Sequence, residues 1–180
     1  MRRLAIVLIS VIVTFWSSAP IVQAQFLEAG IVKFRVPVEA PDFRLKELTG
    51  GEISLKELKG KVVILNFFDT AWPDCQKESP SLSKLYEESR NADIAIYRVA
   101  IKEKEKALIK FRDKFKVSCP ILIDERGQVA NAFHVRSHPQ THFIDRKGKI
   151  VGRALGGKDW TSLNMRNLIQ YLLRESSPTP

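Results

Sequence analysis

Residues 61–80 read KVVILNFFDTAWPDCQKESP, and this stretch decides the fold. Val62-Val63-Ile64-Leu65-Asn66-Phe67-Phe68 is an essentially apolar run, rich in β-branched and aromatic side chains, which predicts a strand buried on both faces. Asp69 to Asp74 carries turn and N-cap chemistry, and Cys75-Gln76-Lys77-Glu78 reads as the first turn of a helix. One cysteine therefore stands where a buried strand hands over to a helix N-terminus. Unpaired backbone N–H groups and the positive end of the helix dipole favour a thiolate there.

NFFDTAWPDCQKESP resembles, without a gap, the active-site segment NFWASWCPPCRKEMP of the TlpA/ResA-like thioredoxins. In that resemblance Cys75 takes the second cysteine of the family's Cys-x-x-Cys, Glu78 its glutamate and Pro80 its following proline. Trp72 falls on the first cysteine, the attacking nucleophile. Two further segments carry the likeness: Ala40-Pro41-Asp42-Phe43-Arg44-Leu45 is similar to the opening of redoxin domains, and Val135 to Asp145 is similar to the family's VRGLPTTFLID. The resemblance covers about Ala40 to Leu173. It implies an α/β, thioredoxin-like fold, a central mixed β-sheet with helices on both faces, and it implies that Pro139 is a cis-proline facing the cysteine motif.

The chain outside this stretch agrees with one domain. Its 180 residues are 44% hydrophobic and 27% charged, enough to bury roughly 70% of the unfolded surface without staples. Met1-Arg2-Arg3, the apolar run Leu4 to Trp16 and Val22-Gln23-Ala24 have the layout of an export signal cleaved before Gln25. The apolar run is short for a membrane span of about 20 residues; an uncleaved anchor is the competing reading. The expected organisation is a signal peptide over 1–24, a lead-in over 25–39, the thioredoxin-like domain over 40–175 and a frayed tail over 176–180. Export, with the periplasm as the expected compartment, follows from the signal.

Losing Arg2 and Arg3 with the signal lowers the net charge from +9 to +7, leaving 27 basic against 20 acidic side chains. The charge is dispersed, and Lys102-Glu103-Lys104-Glu105-Lys106 alternates in sign as a solvated helix would. Without aromatic-basic interleaving, nucleic acid is not an expected partner. Proximity to an anionic membrane surface is compatible with the charge, and a monomer is the expected state.

Between the motifs, Gly50-Gly51 predicts a hairpin turn, Ile94 to Ala100 a second buried strand, and Glu105 to Lys116 a helix with Leu108, Ile109, Phe111 and Phe115 inward. A short helix is expected over Val129 to Phe133 and a last one over Leu163 to Leu173. Cys75 lies past the C-terminal end of its strand, whereas Cys119 precedes the short strand Pro120 to Asp124 at the opposite end. Strands of about five residues span some 17 Å, and bridged Cα atoms must approach within about 7 Å. Two free thiols are expected.

The candidate site is Cys75, as the one reactive thiol, and Glu78, with Trp72, Pro73, His138 and Pro139 lining a groove. An imidazole at His138 could pair with Cys75 as thiolate, or could simply cover the groove. His134, His138 and His142 cannot share one helical face across Pro139, so neither a metal nor any other cofactor is expected. Trp72 cannot attack a disulfide, which rules out a dithiol cycle within this site. Three readings stay open: thiol-disulfide exchange through Cys75 alone on exported protein thiols, with the family's link to cytochrome c maturation; a non-catalytic module that binds polypeptide segments; and a one-cysteine thiol peroxidase.

Overall fold

A computed structural model of the chain describes residues 19–90 and 92–175. An eight-stranded mixed sheet runs in the order β1-β8-β7-β4-β5-β6-β2-β3. Its strands are β1 (Val32–Glu39), β2 (Arg44–Glu47), β3 (Glu52–Ser54), β4 (Val62–Phe68), β5 (Ile94–Ile101), β6 (Ile121–Asp124), β7 (Gln140–Ile144) and β8 (Lys149–Leu155). The helices are α1 (Ala19–Glu28), α2 (Pro73–Glu88), α3 (Glu105–Phe115), α4 (Gln128–Ala132) and α5 (Leu163–Glu175). β4, β5 and β6 are parallel, joined by α2 and α3. The remaining pairs are antiparallel, and two of them, β2–β3 and β7–β8, are hairpins turning at Gly50-Gly51 and Gly148.

The period of two along β4 divides the core. Val62, Ile64 and Phe68 face one layer with Leu82 and Leu85 of α2, Leu108 and Phe111 of α3, Leu168 of α5 and Phe26 of α1. Val63, Leu65 and Phe67 face the other, against Phe43, Leu55, Leu58, Ala130 and Phe133. All seven residues of β4 are buried, which is why its sequence shows a run rather than an alternation.

Several boundaries and facings differ from the sequence reading. The lead-in 25–39, which has strand character over Ile31 to Val36, is joined to the domain itself: β1 pairs with β8 at the sheet edge, and Phe26 is buried against the ring of Tyr171. The helix α2 starts at Pro73, with extended Trp72 as its N-cap; proline suits this position because its missing N–H has no helical partner there. Residues 102–104 lie outside α3: Lys102 is left-handed at φ 56° and Lys104 is the N-cap. Ile109 is exposed, not inward, because the buried stripe of α3 narrows to Leu108 and Phe111. The apolar run Leu4 to Trp16 and the tail 176–180 lie outside the described residues, and no described helix is long and apolar enough to cross a membrane.

Candidate functional site

β4 delivers the chain to the site at Phe68, and a short turn lifts it into α2. The Asp69 carboxylate accepts the Ala71 amide at 2.8 Å, and Trp72 N–H bonds to the Asp69 carbonyl at 3.3 Å. Glu103, on the loop after β5, accepts both the amide (2.8 Å) and the hydroxyl (2.6 Å) of Thr70. Gln76 reaches back from α2 to the Thr70 carbonyl at 2.9 Å. The turn is thus held by charge-assisted bonds from outside its own sequence.

Trp72 is 49% exposed, with its ring edge-on to His138 at 6.3 Å. The His138–Pro139 bond is cis, as the resemblance implies. The amide and carbonyl of His138 have no hydrogen-bond partner among the described residues, while the Pro139 carbonyl is taken by Gly156. A groove of about 500 Å³ opens here, lined among others by Asp69, Thr70, Lys102, Glu103, Asn131 and His138. A second cleft of about 360 Å³ lies beyond Pro73, between Asp74, Lys77, Ser81 and residues 157–159, with Glu78 at its wall.

Cys75 is fully buried. Desolvation pushes its thiol up to about 12, overriding the lowering effects of the Asp69 amide and the Arg98 charge. Burial of the sulfur in the core thus opposes the thiolate that the helix N-terminus favours. No hydrogen bond joins His138 to Cys75 among the described residues; the imidazole meets the Trp72 ring edge-on instead. Cys119 is free and buried too, with its thiol also pushed up to about 12, chiefly by desolvation.

Beneath Cys75 lies a polar network that the sequence reading did not single out. The parallel register sets Asn66 of β4 beside Arg98 of β5, both on the α2 face. Arg98 is wholly buried and donates to Asn66 Oδ1 (3.0 Å), Ser79 Oγ (2.6 Å) and the Cys75 carbonyl (3.3 Å). Its guanidinium carbon lies 4.1 Å from the centroid of the Phe68 ring. Glu78, equally buried, sits 3.7 Å from Arg98 and accepts from Asn66 (2.8 Å), Trp160 Nε1 (3.1 Å) and the Lys158 amide (3.2 Å). Burial pushes the Glu78 carboxyl up, opposed first by Arg98. The signal for Arg98 was available: a charged residue inside IAIYRVA, otherwise a buried-strand pattern, must be paired in the interior.

Residues 36–153 match the model of the AhpC/TSA family. The chain belongs to that family. Among AhpC/TSA-family proteins it is of the TlpA/ResA-like thioredoxin type. It is 38% identical over 123 residues to the thiol-disulfide oxidoreductase ResA of Halalkalibacterium halodurans, covering 68% of this chain and 70% of that one. It is 40% identical over 114 residues to the thioredoxin-like protein YneN of Bacillus subtilis, covering 62% and 66%. The fold of this AhpC/TSA-family chain is that of StoA from Bacillus subtilis (TM-score 0.63, 22% identity, 75% of this chain and 98% of that one). A thioredoxin-family thiol:disulfide interchange protein of Chlorobium tepidum shares it as well (TM-score 0.68, 21% identity, 78% and 99%).

Proposed function

We propose that this protein is an exported, non-catalytic docking domain that binds extended polypeptide segments on a thioredoxin scaffold. The observation that carries the reading is the exchange of roles at the head of α2. The nucleophile's position holds a half-exposed tryptophan, and the remaining thiol is fully buried and pushed up to about 12. Trp72 offers a large amphipathic surface that loses little entropy on contact. The amide and carbonyl of His138, unpartnered among the described residues, offer a strand-like pair of hydrogen bonds beside it. Export rests on the basic start and apolar run of residues 1–16.

Relatives named as thiol-disulfide oxidoreductases favour the competing reading, exchange through Cys75 alone. That chemistry needs a thiolate that a partner sulfur can reach. The decisive experiment measures the alkylation rate of Cys75 against pH in a Cys119→Ser background, alongside titration with reduced, carboxymethylated insulin B chain followed by tryptophan fluorescence. Docking requires slow alkylation in the folded protein and a saturable fluorescence change that Trp72→Ala removes. Rapid alkylation with a midpoint below the ordinary thiol value, or reduction of intact insulin, overturns it.

A further inference from the structure

β5 alternates Ile94, Ile96, Arg98 and Ala100 toward the layer that holds α2, so Arg98 occupies a place the pattern reserves for an apolar side chain. Burying a guanidinium costs several kcal/mol unless its donors are matched. Here the matching is one-sided. Two of its three hydrogen bonds go to the first turns of α2, to the Cys75 carbonyl and to Ser79 Oγ. The Ser79 hydroxyl itself bonds to the same Cys75 carbonyl at 2.7 Å. The third bond, to Asn66, passes through the Asn66 amide to Glu78 and to Thr141 Oγ1 at 2.9 Å. Glu78 then ties in residues 158 and 160. Three elements around the site, the head of α2, the strand after Pro139 and the loop after β8, thus meet on this one ion pair.

We propose that Arg98 is a positioning residue that clamps the head of α2 from beneath, withholding Cys75 in the core and fixing Trp72 at the surface as the contact for a polypeptide. The clamp gives the site one geometry that does not depend on the oxidation state of any thiol. The proposal deepens the docking reading and rests on it.

The test is native-state labelling of Cys75 by iodoacetamide in a Cys119→Ser background, with Cys119 in a Cys75→Ser background as control. Both thiols are buried in the same layer and both feel the Arg98 charge, so they share the effects of simple core loosening. Arg98→Met, similar in length but uncharged, and Arg98→Lys, charged but without a fork, are compared with the parent. The clamp requires at least a tenfold rise for Cys75 in both variants, little rise for Cys119, and a shifted or broadened Trp72 resonance in protein made with fluorotryptophan. Recovery by Arg98→Lys of the parent rate would reduce Arg98 to a counter-charge for Glu78 and overturn the clamp. Equal rises for the two thiols, or none, would also overturn it. If Arg98→Met fails to fold, Arg98→Lys alone still decides between these outcomes. Binding of the carboxymethylated B chain by the parent protein reads the docking function separately, so either claim can fail without the other.

Discussion

Glu103 Oε1 accepts two hydrogen bonds from Thr70, 33 residues away, and so ties the loop after β5 to the turn that presents Trp72. Bonds to a charged acceptor contribute roughly 1.5–3 kcal/mol when partly buried. Glu103→Ala should lower stability by about 1–2 kcal/mol in urea denaturation and speed amide exchange at Thr70 and Ala71 before it affects β4. Uniform acceleration across β4 would show that Glu103 serves global stability, not the turn.

Both thiols make the protein sensitive to alkali. Each is raised from 9.0 to about 12, so the folded state keeps protons that the unfolded state gives up above pH 9. The thiols' contribution to stability should therefore be level below pH 9 and fall from there toward pH 12. Cys75→Ala and Cys119→Ala should each flatten that decline in urea midpoints measured between pH 8 and 10.5. A decline of unchanged slope in the double variant would assign it to other groups.

At the acid end the group to watch is His142. It is buried on β7 between the rings of Phe67 and Phe133, with Nδ1 unpartnered and Nε2 2.9 Å from the Gln140 amide. Desolvation first, and then the charges of Arg153 and His134, lower it from 6.5 to about 4. The unfolded chain binds this proton below pH 6.5 and the folded chain resists until about pH 4. The folded state should thus lose roughly 3 kcal/mol across that window. His142→Leu should cost a little at pH 7, where Gln140 loses its partner, and should be the more stable protein near pH 4.5. Parallel urea midpoints for the two proteins over pH 4–7 would refute this assignment.

Trp72→Cys restores the pair that the resemblance leads one to expect. The new thiol would stand at the exposed N-cap of α2, three residues before Cys75. It should lower its own pKa relative to a free cysteine and form a disulfide with Cys75. Insulin-reducing activity should rise above that of the parent. A variant that folds, forms no disulfide and reduces nothing would mean that the clamp below α2 has closed the site to redox chemistry altogether.

What the sequence made legible was whatever rests on periodicity and on short motifs. The β4 run, the turn, α2 and the Gly50-Gly51 hairpin were readable because local pattern and turn residues determine them, and the cis bond at Pro139 was implied by the resemblance. The state of Cys75 was not. Helix position argues for a thiolate and burial argues against one, and only the packing of α2 on β4 decides that burial wins. Arg98, Glu103 and Trp160 escaped because their roles depend on partners 19 to 82 residues away. Residues 102–104 misled for a related reason: their alternating charges look solvated, yet Glu103 is held inward by Thr70.

The packing of α1 gives a last prediction. Gly152 on β8 leaves room for Phe26: a Cβ there would lie 2.9 Å from the Phe26 ring and 3.1 Å from the Val32 carbonyl oxygen. Gly152→Ala must push the ring outward, at a cost of about 1–3 kcal/mol for overpacking. Phe26→Ala should cost about 3–5 kcal/mol, since the ring is buried against Tyr171. The two losses should not add, because once the ring is gone the new methyl group meets only the Val32 oxygen. Urea denaturation of both single variants and the double variant measures that coupling. Full additivity would mean that β1, not α1, carries the strain, and that Phe26 can leave the core without loosening β8.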